Sequence, residues 1–403
     1  MEIGNIHSIT DFYDNRVFVS DMNLSQHNVS TYGHRNVSQS TENGGENMQT
    51  VLDFILILDE YGVPMLLTVG ILANLIMLIV VRNSELKKVA ACCYFFAMGI
   101  VDNLYLIAMA VPWFSSRVVD IYNTEGFCQL VYYLNLLTTF LSSWYGVMLL
   151  LERMFACYRP NTGDKYFSAF RSKCYVTIVS VLSIVAHLYL TWTSGVYSYD
   201  KTSICIVIPQ HYKDIVIMRK IDSVFSFLLP VVLHIFFTIP LMVYLCASNL
   251  KCDDGKIRFR TKKMTFELRL NAKAFTRYSD APRCSREASF VHMQRQRLRL
   301  FSNSKRLTLT SVLIAVFYII LFLPHNIIKI PVTLFNGDYG VTVRQSVYLK
   351  LFEELYKINF AYKPFVYFTL LPEMRRHLVK LFISVFKRSH DRKPKRRHLE
   401  TPL

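Results

Sequence analysis

Residues 127–158 read FCQLVYYLNLLTTFLSSWYGVMLLLERMFACY. No charged side chain falls from Phe127 to Leu151, and then Glu152 and Arg153 come together. As a helix rising about 1.5 Å per residue, the run from Cys128 to Arg153 covers roughly 37 Å, enough to cross the ~30 Å hydrocarbon core of a bilayer. A soluble core does not need an apolar helix that long. A spanning segment has to satisfy its own backbone hydrogen bonds, so helix is the conformation expected.

Working outward, the sequence predicts six further spans: 59–81, 89–114, 174–197, 222–247, 307–331 and 346–371. The expected fold is therefore an all-α membrane protein, a seven-transmembrane helix bundle. The formal charge of +17 over 403 residues does not point to nucleic acid, because the basic residues sort by side. Stretches 82–88, 153–173, 248–306 and 372–403 hold 34 of the 46 Lys and Arg, which makes that side cytoplasmic and the N-terminus extracellular. The sequons at Asn23, Asn28 and Asn36 fit that assignment, since glycosylation occurs only in the lumen. No basic start followed by an apolar run lies near Met1, so no cleavable signal is expected and the first span serves for insertion. The expected domains are an extracellular tail at 1–58, a seven-transmembrane domain at 59–371 with a basic third cytoplasmic loop at 248–306, and an amphipathic helix with a basic cytoplasmic tail at 372–403.

Of nine cysteines, only Cys128 and Cys205 fall on the outer side, where a disulfide persists. They are expected to tie the third span to the second extracellular loop. No metal or nucleophile constellation appears, and the spans exclude a soluble enzyme. A transporter would show repeated halves and broken helices near the midplane; the sequence has no internal repeat and an odd number of spans.

Particular residues narrow the class. Asn74 lies in the first span, Asp102 in the second, Cys128 and Glu152-Arg153 bracket the third, and Pro230 lies in the fifth. Phe322-Leu-Pro324-His is in the sixth, and Lys363-Pro364-Phe-Val-Tyr367 ends the seventh. One element per span, in order, resembles the rhodopsin-like G-protein-coupled receptors over about 59–386. The resemblance implies an extracellular ligand, a heterotrimeric G protein as cytoplasmic partner, and arrestin as a further one. It gives Arg153 the task of meeting the G protein, with Glu152 holding it when inactive, the sixth helix swinging outward at Pro324 beside Phe322, and Tyr367 and Pro364 repacking alongside. The plasma membrane is the implied location.

The chain departs from that pattern in places. Thr238 stands where relatives often have Tyr, Phe322 where they often have Trp, and the fourth span lacks its usual Trp. Ser304 replaces an acid at the base of the sixth helix, so raised basal signalling is expected. The largest departure is Lys363, where relatives carry Asn or Asp and hold sodium together with Asp102 and a third-span serine, here Ser142. Two readings of Lys363 stand: a buried pair with Asp102 that takes the ion's place, or a side chain reaching toward the cytoplasm.

The resemblance places the pocket at Asn135, which lacks the charge a monoamine needs; Ser223 and Ser226 do not supply it. Trp113, Tyr132, Tyr133, Asp222, His325, Asn326, Lys329, Glu353 and Lys357 complete the candidate set. Glu353 and Lys357 are four apart and either pair with each other or contact ligand. Motifs around Trp144, Arg153 and Pro160 resemble invertebrate neuropeptide receptors, which implies a peptide ligand whose arginine or amine meets Glu353 or Asp222. No cofactor is expected on this reading. Rival readings are a retinal-binding photoreceptor, since Lys357 stands seven residues before Pro364, as in opsins, with Glu353 as the counterion, and a signalling-deficient receptor, since Lys363, Thr238 and Phe322 touch the activation machinery. On the other side, Met374, Leu378, Phe382 and Phe386 recur every four residues, predicting a short amphipathic eighth helix on membrane lipid. Thr401-Pro402-Leu403 matches a PDZ-ligand pattern, on three residues only.

Overall fold

Each apolar segment becomes a helix, because in a bilayer only intrahelical bonds satisfy the backbone. The computed structural model describes residues 42–159, 163, 166–199, 202–253, 305–335 and 343–391. The three sequons, Ser304 with most of the third loop, and the last twelve residues with Thr401-Pro402-Leu403 lie outside the described residues.

Helix α1 runs through Glu42–Ile57, a π turn at Leu58–Gly62, and Val63–Arg82. Helix α2 is Ala90–Ser115, α3 is Phe127–Tyr158, and α4 is Ala169–His187 with a further turn at Leu190–Thr193. Strands β1 (Ser194–Tyr199) and β2 (Thr202–Val207) form an antiparallel hairpin. Helix α5 passes through Tyr212–Asp222, a π turn at Ser223–Leu228, and Leu229–Asp253. Helix α6 is Lys305–Phe335. Helix α7 comprises Val343–Lys357, a 3-10 turn at Ile358–Phe360, and Lys363–Leu370, and α8 is Pro372–Asp391.

By length and composition, α1 to α6 can each cross a membrane. Helix α7 falls short as one run because the turn divides it into pieces of 15 and 8 residues. The architecture is the expected seven-helix bundle with α8 following.

Several predicted boundaries are corrected. Asp59, expected to open the first span, sits inside α1. The fourth helix begins at Ala169 and ends at Thr193; Val196 and Tyr197 belong to β1, since hydropathy does not separate an apolar strand from an apolar helix. The second loop accordingly starts at Ser194. The fifth helix starts at Tyr212, ten residues before Asp222, because Asp214, Arg219 and Lys220 hide its first turns from a hydropathy reading.

The bundle is apolar outside, and its interior sets buried polar groups among packed apolar ones. Asn74, Asp102, Ser142, Glu152, Arg153, His234, Lys357 and Lys363 are buried, whereas Leu72, Leu182, Val185, Phe236 and Val243 are exposed. That arrangement is what lipid as solvent selects: ionisable groups turn toward each other and away from hydrocarbon. Small residues let helices meet closely. A methyl group on Gly70 would lie 2.8 Å from Ala361 Cβ and 2.9 Å from Leu106 Cδ1, so α1 touches α2 and α7 there. One on Gly146 would lie 2.7 Å from His234 Nε2, on α5.

A disulfide joins Cys128 at the start of α3 to Cys205 in β2. The Cys205 amide donates to Asn123 Oδ1 at 3.0 Å, and Cys205 lies opposite Val196 in the hairpin. The hairpin is thus fixed at the end of the bundle opposite Arg153. At the Arg153 end, α8 buries Met374 and leaves Val379, Phe382 and Ile383 exposed on an apolar face.

Candidate functional site

Three groups of the candidate residues occupy three levels of the bundle. At its centre, the break in α7 is the positioning device. The Phe360 carbonyl accepts from Asn74 Nδ2 at 3.0 Å, which ties the break to α1. Lys363 then opens the last piece of α7, with Pro364 in the first helical turn, where a proline costs no hydrogen bond. The Lys363 ammonium points into the bundle: it donates to Asp102 Oδ1 and Oδ2 at 2.9 Å each and to Ser142 Oγ at 2.8 Å. The Ser142 hydroxyl in turn donates to Asp102 Oδ1 at 2.9 Å. All three ammonium protons are used, and Asp102, at 0 % exposure, has its charge matched.

At the Arg153 end, the Arg153 Nε and Nη2 groups donate to the two oxygens of Glu152, a fork of two parallel charge-assisted bonds. Arg153 is 0 % exposed, so the fork is shielded from water. Tyr367 is buried against Phe95, ring centroids 4.3 Å apart. Its hydroxyl has no hydrogen-bond partner among the described residues, and the same holds for Thr238 Oγ1.

At the disulfide end, an aromatic floor carries a polar ring. Phe322 on α6 packs against Tyr318 at 4.6 Å, Tyr356 at 5.4 Å and Phe227 at 5.5 Å. The floor is bolted to α3: Tyr318 donates to Ser143 Oγ at 2.9 Å and Tyr356 to Thr139 Oγ1 at 3.0 Å. His234 stacks on Tyr318 from below at 4.3 Å. Above it, His325 stacks on Tyr356 at 5.6 Å and the Lys329 ammonium lies 5.4 Å from the Phe227 ring centre. Asn326 donates to the Phe322 carbonyl at 2.7 Å; Asn326 Oδ1 and Asn135 Oδ1 have no partner among the described residues.

The charged members are arranged differently from the sequence expectation. Lys357 pairs most closely with Glu354, at 2.6 Å, whereas Glu353 stands 4.0 Å away. One residue along a helix is a rotation of about 100°, and that rotation turns Glu354 inward and leaves Glu353 a quarter exposed. Asp222 accepts from Ser226 and lies 3.5 Å from His187 Nε2 on α4. Tyr132 accepts from the Arg219 guanidinium, which also lies over its ring. Trp113 gives its indole N–H to the Asp59 carbonyl at 2.9 Å and lies beneath Arg117, which bonds Asp59. Tyr133 is directed to α4, donating to the Ile184 carbonyl at 3.2 Å.

Sequence reasoning missed Glu354, Arg219, His187 and His234. Arg219, Asp222 and Ser226 fall at spacings of three and four on one face, a signal visible only once α5 is known to start at Tyr212. His234 gave no signal beyond being a lone polar residue in an apolar helix.

A membrane bundle with a tethered hairpin at one end, an enclosed ion pair at its centre and a buried arginine fork at the other end defines a transmembrane receptor. The sequence matches the family described as 7 transmembrane receptor (rhodopsin family) over residues 73–367, and the chain belongs to that family. Its members are multi-pass plasma-membrane receptors rather than enzymes, and take an extracellular ligand and a G protein as partner classes. A search of curated proteins finds no match to the chain.

Proposed function

We propose that this receptor transduces an extracellular neuropeptide to heterotrimeric G proteins, with the N-terminus and the hairpin outside and the Arg153 end in the cytoplasm. The observation that carries the reading is the separation of two built polar sites: a ring of ionisable side chains beneath a fixed hairpin, and a buried Glu152–Arg153 fork at the far end. Several charged groups from α5, α6 and α7, with polar ones from α3, suit a ligand that makes many contacts. Asn135 offers no carboxylate to an ammonium ion, which disfavours a monoamine.

The aromatic floor is the proposed transmission element. A ligand on the polar ring bears on Phe322 and Tyr356, and these are linked to α3 through Ser143 and Thr139. Moving α6 against α3 would open the Arg153 end and release the fork to a G protein. A ligand can shift that equilibrium only by binding one arrangement more tightly than the other. Arrestin would use the same cleft, the exposed apolar face of α8 would lie in lipid, and a PDZ contact at Thr401-Pro402-Leu403 is a lesser proposal.

The test is G-protein activation in cells expressing the receptor, challenged with neuropeptides in amidated and free-acid forms. A saturable response supports the reading; silence with surface expression confirmed counts against it. One observation favours a second reading, a retinal photoreceptor: Lys357 has a carboxylate, Glu354, at 2.6 Å, the counterion that helix three does not supply. Incubation with retinal would then give a visible absorption band that Lys357→Ala abolishes.

A further inference from the structure

We propose that the ligand carries a carboxylate and that Lys329 holds it. This rests on reading the disulfide end as the ligand site, and it reverses the polarity expected from the sequence, in which Glu353 or Asp222 would receive a cation.

Asp222, Glu353 and Glu354 already have partners. Asp222 accepts from Ser226 and faces His187. Glu354 holds Lys357 at 2.6 Å and lies 3.9 Å from Lys350. Glu353 lies 3.8 Å from Lys350 and 4.0 Å from Lys357. An incoming ammonium or guanidinium would have to displace one of these groups.

Lys329 differs. Among the described residues no carboxylate comes within ion-pair distance of it, and its ammonium rests over the Phe227 ring at 5.4 Å. The charged groups within electrostatic reach are Arg219, Glu353 and Asp222. Arg219, acting from α5, is a second cation, held in place by the Tyr132 hydroxyl. Among the described residues Lys329 therefore has carboxylates near it but none bonded to it, and a ligand carboxylate reaching its ammonium would gain a charge-assisted bond without displacing another group. The position is next to the aromatic floor of Phe227, Phe322 and Tyr356, which suits an apolar body attached to that carboxylate. A peptide's free C-terminus and an acidic side chain both offer this chemistry.

The experiment measures thermal stability of the full-length purified receptor with phenylpropionate, phenylpropionamide and phenylpropylamine as probes. Binding to the folded state alone raises the melting temperature. Phenylpropionate is expected to stabilise the receptor, and the amide and amine to do so at least tenfold less potently, the loss expected when a charge-assisted bond is removed. Lys329→Met should abolish the discrimination and Lys329→Arg keep it. Lys329→Glu should shift preference to the amine, an outcome that a merely destabilised variant would not produce. Two tetrapeptides, one ending in a free carboxylate and one amidated with an internal aspartate, separate the two sources. Equal stabilisation by acid and amide, or acid preference surviving in Lys329→Met, overturns the carboxylate proposal and leaves the ligand site standing. No stabilisation by any probe or peptide overturns both.

Discussion

Lys363 donates to both carboxylate oxygens of Asp102, at 2.9 Å each, and the pair is closed off from water in the middle of the bundle. Neither charge is tolerable there alone. Removing one partner of a buried pair typically costs ~3–5 kcal/mol, because the survivor is left uncompensated. Asp102→Asn is therefore expected to lower surface expression and melting temperature sharply. The double variant with Lys363→Asn should recover most of the loss. Equal damage in single and double variants would show that the two charges are not coupled.

The same geometry predicts indifference to sodium. Lys363 Nζ bridges Asp102 and Ser142, the groups with which relatives hold the ion, and brings its own positive charge. Replacing sodium by choline in the buffer should leave the melting temperature of the wild type unchanged. A sodium-dependent rise would mean that the ammonium leaves the site.

Helix α1 depends on a close approach. Gly70→Ala would bring a methyl group to 2.8 Å from Ala361 Cβ, which is backbone-fixed and has no rotamer to yield. Overpacking of this kind costs about 1–3 kcal/mol. Reduced thermal stability in detergent, with correct insertion, is the expected result.

Glu354 and Glu353 should behave differently despite adjacency. Glu354 is 2.6 Å from the Lys357 ammonium and nearly fully buried, while Glu353 is a quarter exposed and 4.0 Å away. Glu354→Gln is expected to destabilise by roughly 3–5 kcal/mol and Glu353→Gln by less than about 1 kcal/mol, because solvent screens the more open pair. Melting temperatures of the two single variants decide it; similar values would contradict the assigned pairing.

How much of this was legible in the sequence depends on what kind of physics set each feature. The spans were legible because bilayer thickness fixes length and composition together. Cys128 and Arg153 were legible because they mark the two ends of one uncharged run. The start of α5 was not, since Asp214, Arg219 and Lys220 break the hydropathy pattern while the backbone continues as helix. The break in α7 was also invisible: Ile358, Asn359 and Phe360 are ordinary in composition, and the turn is fixed by tertiary bonds such as Asn74 Nδ2 to the Phe360 carbonyl. The choice of Glu354 over Glu353 is a matter of helix rotation. The partner of Asp222 lay on another helix, at His187, beyond what spacing along one chain segment can reveal.

The Glu152–Arg153 fork predicts separable effects. Glu152→Gln weakens the hold on Arg153 and should raise basal G-protein activation. Arg153→Ala should abolish activation yet leave ligand-induced stabilisation of the receptor intact, because Arg153 lies at the end opposite the proposed ligand site. Loss of both readouts would point to a folding defect instead.

The most direct test of the central claim is G-protein activation by the expressed receptor under a neuropeptide panel, compared between wild type and Arg153→Ala at matched surface levels. A saturable response in the wild type, absent in Arg153→Ala, is the predicted result. No response in the wild type, or an equal response in both, would contradict it.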